Sequence, residues 1–196
     1  MTDGVILTGK VGTNANIFPD ALGLHSEHGA TIADVTYGKG VFWKDVDRKN
    51  YNLLLTDIQT GVDFRNLPYE DDSLDGLVFD PPYMHGGKTV KKSINECYRN
   101  ENTGHESVVR NYAAGILEAA RCLKKKGVLY VKCQDEIESG KQRLTHVEAI
   151  TLMETFGFRI ADIFVLLQAT VPCMREPYQK TARKNHSYLI VGVFRR

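Results

Sequence analysis

The residues most suited to chemistry are Asp80-Pro81-Pro82-Tyr83, directly after the apolar run Gly76-Leu77-Val78-Phe79. At about 5% per residue type, this tetrapeptide arises by chance in roughly one chain of this length in a thousand. Two successive prolines fix φ and remove two backbone N–H donors. What remains is acceptor only, the Asp80 carboxylate and the proline carbonyls, followed by the aromatic face of Tyr83. An exocyclic amino group on a flat ring fits that set. Acceptors hold its hydrogens and aim its lone pair, while the tyrosine stacks on the ring. The plainer alternative is a rigid strand-ending turn.

A second constellation lies upstream. The run Thr31-Ile32-Ala33-Asp34-Val35 leads into Thr36-Tyr37-Gly38-Lys39-Gly40. A strand entering a glycine-rich turn lets backbone approach a nucleotide-like ligand. The dinucleotide fingerprint needs a third glycine where Trp43 stands, and Asp34 would repel phosphate. An acidic strand end suits a ligand with an ammonium group and no phosphate, and S-adenosylmethionine is one. A plain tight turn is the competing reading. Asp57 follows the run Asn52–Thr56 at about the offset where a carboxylate accepts ribose hydroxyls, or else caps a helix. Asp63 could receive the adenine amino group of the same ligand, or be a surface aspartate. Gly87-Lys88-Thr89 is not a phosphate loop, because Pro82 occupies the required glycine position.

These residues need strands to carry them. Residues 31–35, 52–56, 76–80, 127–133, 159–167 and 187–194 read as strands, and 106–126 and 144–156 as amphipathic helices stopped at Gly127 and Gly157. This alternation is the rhythm of an α/β architecture. Residues 84–106 and 168–186 break it. Both are polar, long for loops in a compact domain, and expected to be mobile segments that bind substrate.

Composition narrows the classes. With 196 residues, 42% hydrophobic and 25% charged, the chain suits one globular domain over residues 1–196 rather than a disordered or fibrous protein. No apolar run approaches a membrane span and no secretory signal is evident, so a cytoplasmic location without membrane contact is expected. Cys97, Cys122, Cys133 and Cys173 form no CxxC pair, and the histidines no HExxH, so no metal is expected. The net charge of +1 hides an asymmetry: 6 Lys/Arg against 13 Asp/Glu in residues 1–83, and 19 against 11 in residues 84–196. The later part suits a polyanion, although interleaved surface charge would look the same. Lys88, Lys91, Lys92, Arg99, Arg175, Lys180, Arg183 and Lys184 are candidate phosphate contacts, each alternatively a solvated surface charge. His85, two residues past Tyr83, is a candidate substrate contact or a solvated loop histidine. Gln134 and Asp135 follow a strand and reach the edge where parallel sheets bind ligands.

The order Asp34-Val-Thr-Tyr-Gly38-Lys-Gly40, then Leu53-Leu-Leu-Thr-Asp57, then Val78-Phe-Asp80-Pro-Pro-Tyr83 resembles the S-adenosylmethionine-dependent amino-methyltransferases. It is most similar to small phage and bacterial DNA adenine-N6 methyltransferases, over residues 31–134 and the closing segment from Arg183. The resemblance implies a Rossmann-like three-layer α/β methyltransferase fold, with a mainly parallel seven-stranded sheet and an antiparallel last strand. It implies that Asp34, Gly38 and Gly40 form the cofactor loop, Asp57 the ribose contact, and Asp80, Pro81, Pro82 and Tyr83 the catalytic set. Asn14, Asn16 and Ile17 match the start of the helix flanking the methionine tail. Tyr37 and Trp43 replace smaller residues. The implied activity is methyl transfer from S-adenosylmethionine, yielding S-adenosylhomocysteine, to N6 of an adenine flipped out of DNA. Cytosine N4 in DNA, guanine N2 in ribosomal RNA and a catalytically silent nucleic-acid-binding subunit are the alternatives. A protein glutamine methyltransferase fits less well, since Asn usually replaces Asp80 there. A homodimer is a candidate assembly.

Overall fold

Along the central strands successive apolar residues point to opposite faces, so each strand has two faces to bury. A computed structural model of the chain describes residues 4–83, 103–168, 182 and 184–195 and shows what covers them. The strands are β1 (Gly9–Val11), β2 (Thr31–Asp34), β3 (Asn52–Leu55), β4 (Leu74–Phe79), β5 (Leu123–Cys133), β6 (Glu136–Glu138), β7 (Lys141–Arg143), β8 (Phe158–Leu167) and β9 (His186–Phe194). The helices are α1 (Asn14–His25), α2 (His105–Cys122) and α3 (Thr145–Thr155).

Seven strands form one sheet in the order β1-β8-β9-β5-β4-β2-β3, while β6 and β7 pair as a separate hairpin. β9 runs antiparallel to both its neighbours, and every other pairing in the large sheet is parallel. This is the mixed, mainly parallel α/β sheet expected from the sequence. Leu77, Phe79, Leu129, Val131 and Ile190 pack with Val108, Tyr112 and Ile116 of α2 and Met153 of α3. Residues one step away along the same strands (Val78, Tyr130, Leu189 and Val191) join Ile17, Phe18, Ala21 and Leu22 of α1 with Phe42 and Trp43. Helices therefore cover both faces, giving three layers. Close approach of α2 to β4 requires Gly115, where a Cβ would run into the Phe79 ring.

Two local outcomes differ from the sequence reading. The long helix ends at Cys122, not at Gly127, and Lys124 to Lys126 instead open β5. Leu123 pairs with Leu74, the register slips before Val128, and Lys126 takes a φ of 66°, so sheet pairing overrides the helix-ending pattern. Lys124 is held there by Asp75, with Nζ 2.7 Å from Oδ1. The short strand β1 and the β6–β7 hairpin, three residues per strand, gave no periodic signal to read.

Candidate functional site

After β2 the chain moves outward to β3, while β4 pairs on the other side of β2 and leads to β5. The sheet thus reverses direction between β2 and β4, and ligands of open parallel sheets bind beyond the strand ends at such a point. Asp34 ends β2 and Asp80 directly follows β4. One residue stitches these ends together: the Thr36 N–H donates to Asp34 Oδ1 at 3.0 Å, and the Asp80 N–H donates to Thr36 Oγ1 at 2.7 Å.

Asp34 is 1% exposed. Its Oδ2 accepts the Trp43 indole N–H at 2.7 Å. Burial pushes its pKa up to about 7; the bonds from Trp43 and Thr36 pull the other way, and the neighbouring Asp80 adds to the rise. Asp34 therefore fastens the glycine turn from within, and its enclosed carboxylate presents no open face to a ligand ammonium. Trp43, which breaks the dinucleotide pattern, is the residue that completes this lock.

Gly38 and Gly40 have φ of 52° and 66°, left-handed values that disfavour side chains. A Cβ on Gly40 would also lie 2.5 Å from the Tyr37 hydroxyl. Asp57 holds the turn from the β3 side. Its Oδ2 accepts the Gly38 N–H at 3.0 Å, while its Oδ1 accepts those of Gln59 and Thr60 at 2.8 and 3.0 Å. The helix-cap reading of Asp57 is therefore realised, as the start of a short 3-10 turn over Ile58–Thr60. A carboxylate offers about four lone-pair sites, so some acceptor capacity toward a ribose remains. Asp63 is engaged by Arg65, whose Nε and Nη2 donate to it at 3.0 and 2.7 Å and hold its pKa below the usual range. An adenine amino group would have to displace that pair.

At the end of β4, Asp80 is half-buried as a residue, but its Oδ1 is shut off from solvent and has no hydrogen-bond partner among the described residues. Burial raises its pKa to about 6, and the charge of Lys132 opposes that rise. Pro81 is buried, Pro82 and Tyr83 are half-buried, and the Tyr83 ring packs against the core on the α2–α3 face. Sequence reading missed Lys132. It is 2% exposed in β5 and donates to Ser187 Oγ at the start of β9. The available signal was a lone lysine inside the apolar run Val128-Leu-Tyr-Val-Lys132-Cys133.

The other candidates scatter. Asn14 opens α1, and Asn16 Oδ1 accepts the Thr13 N–H at 2.8 Å and its hydroxyl at 3.1 Å. Ile17 is fully buried, so its side chain serves the core rather than a ligand. Asp135 is 5% exposed and accepts from His146 Nδ1 at 2.7 Å, so that carboxylate is turned to α3. Gln134 and Lys184 are half-buried. Lys88, Lys91, Lys92, Arg99, Arg183, His85, Arg175 and Lys180 lie outside the described residues, as do most of the segments 84–106 and 168–186. Among the described residues no group of three or more His, Cys, Asp and Glu could hold a metal ion, and no helix is long and apolar enough to cross a membrane.

No protein-family model matches the chain, and no curated protein is a significant match to it. Solved structures do match. A candidate methyltransferase of Bacillus halodurans aligns over 91% of this chain and 99% of its own, with a TM-score of 0.57 and 11% identity. An S-adenosylmethionine-dependent methyltransferase of Methanosarcina mazei aligns over 89% and 97%, with a TM-score of 0.53 and 12% identity. A candidate DNA modification methylase of Thermus thermophilus aligns at a TM-score of 0.46 and 12% identity, and the chain spans only 53% of its length. Taken with the strand order and the three layers, the chain has the Rossmann-like fold of S-adenosylmethionine-dependent methyltransferases.

Proposed function

We propose that this protein transfers a methyl group from S-adenosylmethionine to the exocyclic amino group of a nucleobase, with N6 of adenine in DNA as the foremost substrate. The observation that carries the reading is Asp80 Oδ1, an enclosed acceptor with no donor among the described residues, at the sheet's reversal point. A buried polar atom without a partner costs free energy, and a site retains one where an incoming group supplies the missing donor.

Bound S-adenosylmethionine would supply the electrophilic methyl group: the N–C bond forms as the C–S bond breaks, S-adenosylhomocysteine leaves, and the methylated nitrogen sheds one proton to solvent water. The chain's own residues do the positioning. Asp80 Oδ1 accepts one amino hydrogen and the Pro81 carbonyl the other, so the nitrogen lone pair faces the methyl carbon. Tyr83 stacks on the base, and the remaining acceptor sites of Asp57 take the ribose. The sulfonium charge disperses as the methyl group leaves, so orientation contributes more than proton transfer. In duplex DNA the adenine must be flipped out, at a cost of a few kcal/mol. The basic segments 84–106 and 168–186 would grip the phosphates, through Lys88, Lys91, Lys92, Arg99, Arg183 and Lys184, as the polyanion partner.

The test is to incubate the protein with methyl-labelled S-adenosylmethionine and either DNA or RNA, then identify methylated nucleosides by mass spectrometry. N6-methyladenine in DNA is the expected product. N4-methylcytosine, or N2-methylguanine in RNA, would keep the amino-methyl chemistry and replace the substrate. The Asp80→Ala variant should lose transfer while cofactor affinity stays within several-fold. Near-normal turnover in that variant would refute the assignment.

A further inference from the structure

Charged side chains are rarely enclosed without a reason, and Lys132, 2% exposed, occupies the strand position next to the proposed acceptor with its ammonium on Ser187. Phe79 of β4 pairs in parallel register with Val131 of β5, so the next residues, Asp80 and Lys132, stand side by side on one face of the sheet. Lys132 pairs with Leu189 of β9, and Ser187 lies two residues before Leu189 on the same face. Ser187, itself 2% exposed, accepts from Lys132 Nζ. The Lys132 carbonyl accepts the Tyr112 hydroxyl at 2.8 Å, which ties this point of β5 to α2. An apolar residue would suit this position equally well, because Tyr130 on the same face of β5 and the paired Leu189 of β9 are fully buried.

We infer that Lys132, tethered by Ser187, is the positioning residue that keeps the Asp80 carboxylate ionised and therefore acceptor-only. This rests on the reading of Asp80 as the amine acceptor. A protonated Asp80 would present a hydroxyl donor toward an amino group that needs an acceptor. Burial drives Asp80 toward that protonated form, up to about 6, and the lysine charge is what opposes it. The same burial pulls Lys132 below the usual lysine value, against the pull of Asp80. Asp34 of β2, Tyr83, Tyr112 of α2, Cys133 of β5, Asp135 and Glu136 of β6 also interact electrostatically around this point, and none of them is a cation. Lys132 therefore has no substitute there among the described residues.

The test uses the Lys132→Met variant, which keeps the apolar stem and removes the charge, and Ser187→Ala, which keeps the charge and removes the tether. Asp80 is titrated by carboxyl 13C NMR on aspartate-labelled protein without substrate, its signal assigned with Asp80→Asn. We expect the Asp80 midpoint to rise by a unit or more in Lys132→Met, a tenfold gain in proton affinity, and by less in Ser187→Ala. In methyl transfer, Lys132→Met should lower kcat at neutral pH, recover toward alkaline pH, and leave the cofactor KM little changed. A purely structural role would instead depress activity equally at every pH. An unmoved Asp80 midpoint in folded Lys132→Met overturns the inference. If that variant does not fold, a Ser187→Ala midpoint equal to that of the unmodified protein does so alone. A shifted midpoint without transfer to DNA or RNA would refute the proposed function and leave the Lys132 assignment standing.

Discussion

Replacing Asp34 with asparagine should change the pH dependence of stability more than stability at any one pH. The carboxyl is 1% exposed and its folded pKa of about 7 lies above the ordinary 3.8. A raised pKa means that the folded chain binds more protons than the unfolded one between those values. The resulting stabilisation is present in full below about pH 3.8 and is lost as pH rises through about 7. At about 1.4 kcal/mol per pH unit while the folded carboxyl stays protonated, the loss from pH 5 to pH 8 is roughly 2–3 kcal/mol. Asparagine does not titrate, so this component disappears. It also has one acceptor where the Trp43 indole and the Thr36 amide both donate, which costs about 1–3 kcal/mol at acid pH. The variant should therefore be less stable near pH 5 and approach or pass the unmodified protein near pH 8. Urea unfolding at fixed ionic strength across pH 5 to 8 measures the difference. A gap between the two proteins that stays constant over that range would refute the reasoning, because it would mean that Asp34 titrates alike in both states.

Two further substitutions test the turn and the strand behind the proposed acceptor. Asp57→Ala leaves the amides of Gly38, Gln59 and Thr60 without their acceptor. It should cost about 1 kcal/mol of stability as a lost cap, and about 1–3 kcal/mol of S-adenosylmethionine affinity by calorimetry; unchanged affinity would make Asp57 a cap alone. Gly115→Ala forces a methyl group into the Phe79 ring, one residue before Asp80. It should destabilise by about 1–3 kcal/mol and reduce methyl transfer more than cofactor binding, and a thermal midpoint at or above that of the unmodified protein would show that α2 yields easily.

The sheet was legible because its central strands are apolar on both faces and punctuated by glycine and aspartate, so β2, β4, β8 and β9 fall close to where the sequence puts them. The end of α2 was not. Lys124-Lys125-Lys126-Gly127 carries the cations and glycine of a helix terminus, and only the pairing of Leu123 with Leu74 shows that the chain is already in the sheet. Asp80 and Asp57 could be singled out from strand ends alone, but not their partners. The sequence places Asp34 at a strand end but does not reveal that Trp43, nine residues on, turns its indole back onto the carboxylate. Lys132 and Ser187 are 55 residues apart, and their contact exists only because β9 inserts beside β5.

That insertion has an evolutionary consequence. Because β9 runs opposite to β8, the chain leaving Leu167 comes back at His186, its pairing partner, and the Gln168 amide donates to the Asn185 carbonyl at 2.7 Å. Backbone hydrogen bonds thus close the stem of the intervening segment. Lengthening a closed loop adds only about 0.6 kcal/mol per doubling. The segment between Gln168 and Asn185 can therefore diverge, grow or be grafted from another protein with little penalty to the sheet. The fold offers selection, or an engineer, an exchangeable cassette on a fixed sheet.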